Sequence, residues 1–332
     1  MRVLSGVQPS GKLHIGNYFG AIKQFVDLQH GNEGLYFIAD LHALTTIRDG
    51  ARLAQLTRDV ALDYLALGLD PEKAILFKQS DLPETTELAW ILSTVTPMGL
   101  LERAHSYKDK TAKGISPDHG LFAYPVLMAA DILIYGSDVV PVGKDQKQHV
   151  EITRDIAVKF NETYAPGFDP QTGKNAILKL PDAMIMESTA VVPGTNGEKM
   201  SKSYGNTIDM FAEEKALKKV VMGIVTDSAP VEAPKDPETN TVYQLLKLVS
   251  TPEELAATAD EFRKGGTGYG EFKKRLLAKL LEHFGPARAR RAELEKDPAR
   301  VDAILRDGAE RARALARPVM EAVRAATGLR RP

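Results

Sequence analysis

The sequence predicts an α/β fold, a doubly wound parallel sheet followed by a helical domain. Over the first 160 residues, short apolar runs alternate with longer segments whose apolar residues recur at helical spacing. This alternation is typical of parallel strands joined by crossover helices. After Asn206 the apolar residues keep helical spacing almost throughout, which predicts a mostly helical second part. Ligands of doubly wound sheets bind at the carboxyl ends of the strands, so functional residues are expected there.

Local patterns define the elements of the first part. Four apolar runs predict strands at residues 2–7, 35–39, 75–78 and 139–142. Helical spacing predicts helices at residues 15–29, 51–67 and 124–135, the last apolar on nearly all sides and therefore buried. Asp70 followed by Pro71 is a helix N-cap with proline at the first helical position, which predicts a short helix. The single tryptophan, Trp90, lies in the apolar stretch TELAWILS and is expected in the core or in an interface.

Turn-forming residues and helix caps divide the rest of the chain. Clusters of Pro, Gly, Asn and Thr predict loops at residues 163–175 and 191–206. The sequence TPEE at residues 251–254 is a capping box with proline at the first helical position, and Asp297-Pro298 begins another helix. Glycines between residues 265 and 268 separate two helices. A domain boundary is therefore expected near residue 205.

Composition excludes several classes of protein. The 332 residues are 43% hydrophobic and 26% charged, which is an ordinary globular composition that can form a sizeable core. The chain has no cysteine, so disulfides, thiolate catalysis and cysteine-ligated zinc sites are excluded. The first residues lack the apolar stretch of a signal peptide, and no apolar run is long enough for a membrane span. We expect a cytoplasmic protein without a membrane partner.

Charge is unevenly distributed along the chain. The formal net charge is −1, yet residues 286–332 carry 11 arginines and a net charge of +5. Arginine-rich helices commonly present a solvated face with i,i+4 ion pairs. The alternative is a surface that contacts RNA phosphates, for which Arg311, Arg313 and Arg317 are the candidates.

The sequence HIGN at residues 14–17 follows the first predicted strand and begins a helix. A helix N-terminus offers free N–H groups and the positive end of the helix dipole, which suit a phosphate. Gly16 lets a nucleotide approach the backbone, while His14 and Asn17 can donate hydrogen bonds to phosphate oxygens. An ordinary helix start with a surface histidine explains these four residues equally well.

The sequence KMSKS at residues 199–203 is more specific. Lys199 and Lys202 place two ammonium groups three residues apart in a glycine-flanked loop, where both can bind one polyphosphate. Such a loop can close over a triphosphate and stabilise charge that moves onto the leaving group. An exposed charged loop is the alternative, and the HIGN helix start on the same strand–helix scaffold argues against it.

The two motifs, in this order on an α/β domain, resemble the class I aminoacyl-tRNA synthetases. Within that class, residues 96–110, 124–157 and 225–228 are similar to the bacterial tryptophanyl-tRNA synthetase family, and the similarity extends from the first strand to the last helix. The resemblance implies a Rossmann-like catalytic domain at residues 1–205 and an α-helical anticodon-binding domain at 206–332, whose last helix can pack back on the catalytic domain. It also implies a homodimer that uses L-tryptophan, tRNA(Trp) and ATP with Mg²⁺, without a metal site in the protein.

The resemblance also assigns roles to individual residues. The expected catalytic residues are Lys199, Lys202, Lys110, His14 and Asn17. The expected ATP-binding residues are Gln8, Pro9, Ser10, Gly16, Asn17, Gly143, Lys144, Asp145, Ile185, Lys199, Met200, Ser201, Lys202 and Ser203. The expected tryptophan-binding residues are Leu4, Gln8, His42, Tyr124, Met128, Asp131, Val140, Val142 and Gln146.

Asp131 is the residue expected to determine specificity for the amino acid. Tyr124, Met128 and Asp131 share one face of the apolar helix, where a carboxylate is costly unless hydrogen-bond donors surround it. The donor can be a neighbouring protein group, or the ring N–H of indole, which only donates. The resemblance favours indole, since Asp131 falls where the tryptophan enzymes hold the indole nitrogen.

Some positions depart from the family pattern, and other functions stay open. Lys144 replaces a usual Glu, Leu41 a frequent Gln and Leu4 a frequent Phe, and the stretch 187–198 is longer than in compact members. The alternatives are a tyrosyl-tRNA synthetase, a nucleotidyltransferase with a HIGH-type motif that makes a cofactor, and a non-catalytic tRNA-binding paralogue. The sequence has no HExxH or GxSxG motif, which argues against a zinc protease or an α/β-hydrolase.

Overall fold

The computed structural model describes residues 1–104, 118–143, 146–185 and 192–329. Its centre is a five-stranded sheet in the order β3-β2-β1-β4-β5, and every neighbouring pair is parallel. The strands are β1 (Arg2–Val7), β2 (Glu33–Ile38), β3 (Ala74–Lys78), β4 (Val139–Val142) and β5 (Asp182–Ile185). The chain winds in one direction from β1 to β3 and in the other from β4 to β5, so the topological switch point lies between β1 and β4. The predicted doubly wound parallel fold is confirmed.

Helices flank the sheet and form the second part of the chain. They are α1 (Ile15–Asn17), α2 (Lys23–Leu28), α3 (Asp40–Ala43), α4 (Gly50–Ala66), α5 (Glu84–Ser93), α6 (Met98–Glu102), α7 (His119–Leu133), α8 (Lys147–Tyr164), α9 (Glu214–Met222), α10 (Thr241–Leu246), α11 (Pro252–Lys264), α12 (Tyr269–Lys296) and α13 (Pro298–Thr327). A π-helical turn, Tyr18–Ile22, joins α1 to α2. Among the described residues, no helix has both the length and the apolar character needed to cross a membrane.

Alternating strand residues build a core on each face of the sheet. Leu35, Phe37 and Phe77 pack with the helices from α5 to α8. Tyr36 and Leu76 point the other way and pack with α2, α4 and the C-terminal helices. This two-sided burial explains why the strands read as apolar runs rather than as polar–apolar alternation.

The sequence predictions were accurate for the four longer apolar runs and wrong at three details. Strand β5 was not predicted. Helix α8 continues to Tyr164, so the loop predicted to begin at residue 163 begins later. The residues after Asp70 form only a turn before β3, not a helix. The capping box at Thr251 and the helix start at Asp297 are confirmed.

The last helix packs against the sheet. Helix α13 lies on the backbone of edge strand β3, where a Cβ atom on Gly308 would come within 1.9 Å of the Leu76 carbonyl oxygen. Only glycine permits this approach. Covering the edge of β3 also keeps its backbone from pairing with another chain.

Several C-terminal arginines bind backbone carbonyls of the first part of the chain. Arg311 Nη1 donates to Pro71 O at 2.6 Å, and Arg313 donates to Asp81 O. Arg290 Nε likewise donates to Ala66 O at 2.8 Å. Arg311 and Arg313, two of the candidates for phosphate contacts, therefore help to hold α13 against the first part of the chain, with side chains that are 37% and 36% exposed. Arg317 remains exposed.

Candidate active site

A cavity of about 540 Å³ opens at the carboxyl ends of β1 and β4, at the switch point of the sheet. Every residue expected at the tryptophan site lines it: Leu4, Gln8, His42, Tyr124, Met128, Asp131, Val140, Val142 and Gln146. Apolar walls with a few polar groups are typical of a small-molecule site.

Asp131 lies in the wall of this cavity with its side chain 3% exposed. Its Oδ2 atom is 2.8 Å from Nε2 of His42, and the Gln79 amide donates to both carboxylate oxygens at 2.8 and 2.9 Å. Burial raises the pKa of Asp131, and the hydrogen bonds from His42 and Gln79 oppose that rise. Neighbouring protein groups, one of the two kinds of donor that the sequence left open, therefore satisfy part of this carboxylate. Because a carboxylate accepts up to about four hydrogen bonds, the three hydrogen bonds shown leave Asp131 capacity to accept one more.

Tyr124, His149 and Gln146 form a second hydrogen-bonded group on the cavity wall. His149 Nε2 lies 2.7 Å from the Tyr124 hydroxyl, and His149 Nδ1 lies 3.1 Å from Gln146 Oε1. Gln146 Oε1 can only accept, so Nδ1 donates to it, and in the neutral imidazole Nε2 accepts from the Tyr124 hydroxyl. His149 thus fixes the orientation of both partners.

The HIGN helix start is tightly packed. His14 N donates to Asn17 Oδ1 at 3.1 Å, so any donation by Asn17 to a phosphate comes from Nδ2. A Cβ on Gly16 would meet His14 Nδ1 at 2.9 Å and Met200 Cβ at 3.3 Å. His14 Nδ1 is buried and has no hydrogen-bond partner among the described residues. Burial and the charge of Lys202 lower the pKa of His14 to about 4, so this imidazole is neutral at neutral pH.

The KMSKS loop lies directly against this helix start. Lys202 Nζ donates to Gly11 O at 2.9 Å, and the hydroxyls of Ser201 and Ser203 are 2.8 Å apart. Met200 is buried in the core, whereas Lys199 is exposed. Two motifs separated by almost 200 residues therefore form one surface rich in donors and positive charge.

The side chain of Asn206 fixes the KMSKS loop through hydrogen bonds. Its side chain accepts from Ser201 N at 2.8 Å and donates to Asn196 Oδ1 at 2.7 Å and to Lys199 O at 3.1 Å. The residue is 2% exposed. A Cβ on Gly194 would lie 2.2 Å from its Nδ2 atom, so glycine is required beside it.

The remaining expected ATP-site residues lie around the same edge of the sheet. Gln8, Pro9 and Ser10 form the turn after β1, with Ser10 N bonded to Gln8 O at 2.8 Å. Gly143 follows β4 and lines the cavity, and Ile185 ends β5 opposite Val142. Lys110, Lys144 and Asp145 lie outside the described residues.

The sequence predictions assigned no site role to three residues that position others: Gln79, His149 and Asn206. Gln79 stands immediately after β3, and residues at strand carboxyl ends are site candidates, so its position was an available signal. His149 follows Gln146 by three residues on a helical face, which is a weaker signal. Nothing local distinguished Asn206 from an ordinary loop asparagine.

The parallel sheet, the HIGN helix start, the two-lysine loop beside it and the cavity at the switch point are together those of a class I tRNA synthetase. A model of the family described as tRNA synthetases class I (W and Y) matches residues 1–285, and the chain belongs to this family. It is 56% identical over 317 residues to a tryptophan–tRNA ligase of Fusobacterium nucleatum, covering 95% of this chain and 94% of that protein. It is 54% identical to the enzyme of that name from Rhodopirellula baltica, covering 99% and 100%.

Solved structures agree with this assignment. The crystal structure of tryptophanyl-tRNA synthetase from Campylobacter jejuni complexed with ADP and tryptophan matches with a TM-score of 0.92 at 50% identity. The match covers 99% of this chain and 100% of that chain. The enzyme from Mycoplasma pneumoniae matches with a TM-score of 0.80 at 29% identity.

Proposed function

We propose that this chain activates L-tryptophan with ATP and transfers it to tRNA(Trp). A carboxylate oxygen of tryptophan attacks the α-phosphorus of ATP, the bond to the β,γ-phosphates breaks, and tryptophanyl-adenylate and pyrophosphate form. A hydroxyl of the terminal adenosine of the tRNA then attacks the acyl carbon and releases AMP. The buried carboxylate of Asp131 in the cavity at the switch point is the observation that carries this proposal.

The chemistry of the cavity lining supports tryptophan as the amino acid. Asp131 accepts a hydrogen bond from the indole N–H, and the apolar side chains of Val140 and Val142 contact the ring. Tyr124 and Gln146, held by His149, offer oxygen atoms to the α-ammonium group. Because the indole N–H donates into a site that already contains a buried acceptor, a ring without this donor leaves Asp131 under-satisfied.

The nucleotide binds across the two motifs. His14, Gly16 and Asn17 face the phosphates at the start of α1, and Lys199 and Lys202 bind the departing pyrophosphate. His14 acts there as a neutral hydrogen-bond donor because its pKa is about 4. ATP enters as its magnesium complex, so the metal ion belongs to the substrate. The protein contributes orientation and charge stabilisation, which dominate in-line phosphoryl transfer.

Residues 1–205 serve as the catalytic domain and residues 206–332 as the anticodon-binding domain of this proposal. Helices occupy the second part from Glu214 onward, and its described residues include no strand. With Arg311 and Arg313 engaged in packing, the exposed arginines of α13 are the candidates for phosphate contacts, namely Arg300, Arg306 and Arg317.

We also propose that two copies associate through the surface that carries Trp90 and Met98. Trp90 is 73% exposed and Met98 is 63% exposed, on consecutive helices α5 and α6. The core position considered for Trp90 is therefore wrong, and the interface position stays a prediction. Because Trp90 is the only tryptophan, fluorescence excited at a wavelength selective for tryptophan over the ten tyrosines reports on this surface alone. Dilution below the dimer dissociation constant should shift its emission to longer wavelength, and a concentration-independent spectrum with a monomeric mass would contradict the dimer.

The reaction requires ATP and tRNA, so the proposed site of action is the cytoplasm. Pyrophosphate exchange into ATP, measured with tryptophan and with tyrosine, tests the function. Tryptophan should support exchange and tyrosine should support essentially none, and charging of tRNA(Trp) should follow. Tyrosine-dependent exchange would make the chain a tyrosine enzyme, and failure with both would indicate a non-catalytic protein.

A further inference from the structure

Gln79 lies behind the cavity wall and does not line it. It follows β3, opens a 3-10 turn (Gln79–Asp81) and is 1% exposed. Its Oε1 atom accepts from the backbone N–H groups of Leu41 and His42 at 3.1 and 3.3 Å. Its Nε2 atom donates to both oxygens of Asp131. A single buried amide therefore connects the strand end, helix α3 and helix α7.

The orientation of this amide follows from its partners. Two backbone N–H groups face one end of the side chain, so that end is the oxygen. A carboxylate faces the other end, so that end is the nitrogen. The reversed amide would place oxygen against carboxylate and nitrogen against two donors, so the N–H groups of Leu41 and His42 and the Oδ1 atom of Asp131 would lose these hydrogen bonds.

We propose that Gln79 is a positioning residue for tryptophan recognition, which holds the Asp131 carboxylate so that one oxygen faces the indole N–H. This inference rests on the proposed function and extends it to the basis of specificity. Gln79 acts on Asp131 twice, directly through its Nε2 atom and indirectly through His42. His42 also donates to Asp131 Oδ2, and its backbone N–H is fixed by Gln79 Oε1.

Loss of the Gln79 donors leaves Asp131 with His42 as its remaining protein donor among the described residues. A buried carboxylate with one donor is poorly stabilised as an anion, so it takes up a proton or turns toward another donor. A protonated carboxyl has lost its negative charge, so its oxygens are weaker acceptors for the indole N–H than those of a carboxylate. The ability to distinguish a ring N–H from an isosteric group should therefore decrease.

The test compares Gln79→Met with wild type and with Gln29→Met. Gln29 is a matched control because its buried amide also bridges two backbone groups, donating to Gly68 O at 3.0 Å and accepting from Asp70 N at 2.8 Å, away from the cavity lining. Pyrophosphate exchange is measured with tryptophan and with the analogue whose ring N–H is replaced by sulfur. The readout is the ratio of the two kcat/KM values, with the KM for each substrate and the Tm of each variant.

In Gln79→Met, the ratio should fall about tenfold or more, since a hydrogen bond to a charged group is worth at least that factor. The KM for tryptophan should rise by a similar factor, while the KM for ATP changes by less than about threefold. The Tm of Gln29→Met should decrease by about as much as that of Gln79→Met, but its ratio of kcat/KM values should equal that of wild type. An unchanged ratio in Gln79→Met, or an equal fall in Gln29→Met, would overturn the inference.

Two further variants keep the result decisive. Gln79→Glu has the same size and keeps an oxygen for the backbone N–H groups, but its second oxygen meets Asp131 and must share a proton with it, so its ratio should also fall. In the Asp131→Asn background, Gln79→Met should cause less than about a threefold further fall, because the residue acts through Asp131. Multiplicative effects would show that Gln79 acts elsewhere. If wild-type protein uses no tryptophan, the proposed function itself is wrong, and that result is distinct from a failure confined to the Gln79 variants.

Discussion

The Nζ atom of Lys202 lies 2.9 Å from the carbonyl oxygen of Gly11, which joins the KMSKS loop to the turn before the HIGN helix. Burial lowers the pKa of Lys202, and the negative charge of Asp63 opposes this effect. The lysine is thus held beside the start of the HIGN helix. A preorganised cation costs little reorganisation when charge develops on a leaving group.

Removing either loop lysine should therefore affect the transition state more than substrate binding. We expect Lys199→Ala and Lys202→Ala to slow adenylate formation by about 10²–10³ in single-turnover experiments. The Kd for tryptophan without ATP should stay within about twofold of wild type. Lys215→Ala, an exposed lysine of α9, is the control and should leave both quantities unchanged. Equal losses in rate and tryptophan affinity would mean that the loop supports the fold rather than the chemistry.

The geometry of the loop should be sensitive to a single methyl group. Gly194→Ala places a Cβ 2.2 Å from Asn206 Nδ2 and 2.7 Å from its backbone oxygen, so Asn206 must move and release Ser201. We expect adenylate formation to slow about 10²-fold, as for a misplacement of about 1 Å. Gly285→Ala, which has open space around its Cβ position, should retain full activity. Normal activity of the Gly194 variant would show that the Asn206 contacts do not set the active loop conformation.

Most of the fold could be predicted because burial on both faces makes the parallel strands strongly apolar. Strand β5 was missed because Asp182–Ile185 is short, and each of its residues is partly or fully exposed. The turn after Asp70 was mistaken for a helix because the cap pattern is local, whereas β3 begins at Ala74 and leaves no room. Local patterns specify helix starts but not the distance to the next element.

The cavity residues came from resemblance, and the structure adds what supports them. Gln79 and Asp131 are 52 residues apart, and only the parallel order of the sheet brings them together. The C-terminal arginines show contacts that their charge alone does not predict. Their charge suggested RNA, but exposure depends on tertiary packing, and Arg311 and Arg313 were found against backbone carbonyls.

These packing arginines should affect stability rather than RNA binding. Arg313→Ala should lower the free energy of unfolding by about 1 kcal/mol through the lost bond to Asp81 O and leave tRNA affinity intact. Arg317→Ala should leave the free energy of unfolding unchanged and weaken tRNA binding. The salt dependence of binding should decrease by the amount expected for about one lost phosphate contact. Urea unfolding and tRNA titrations at several salt concentrations measure both. Weaker tRNA binding by Arg313→Ala at unchanged stability would contradict the packing role.

His14 should make the protein less stable in acid. Its pKa in the folded chain, about 4, lies below its ordinary value of 6.5, so between these pH values the unfolded chain binds a proton that the folded chain does not. Stability from this group is full above pH 6.5 and is lost as pH falls toward 4. Between pH 7 and 4.5, wild type should lose about 2 kcal/mol more than His14→Asn in urea unfolding. Identical pH dependence in the two proteins would show that His14 is not held neutral by its surroundings.

In the proposed function, Asp131 recognises tryptophan by accepting a hydrogen bond from the indole nitrogen. The most direct measurement is the ratio of kcat/KM for tryptophan to that for the sulfur analogue, in wild type and in Asp131→Ala. Wild type should favour tryptophan by about 10⁴, the range for a site built around one substrate hydrogen bond. In Asp131→Ala, kcat/KM for tryptophan should fall steeply, the KM for ATP should stay near the wild-type value, and the ratio should approach one. A ratio that is the same in both proteins would contradict the assignment of Asp131 to the indole N–H.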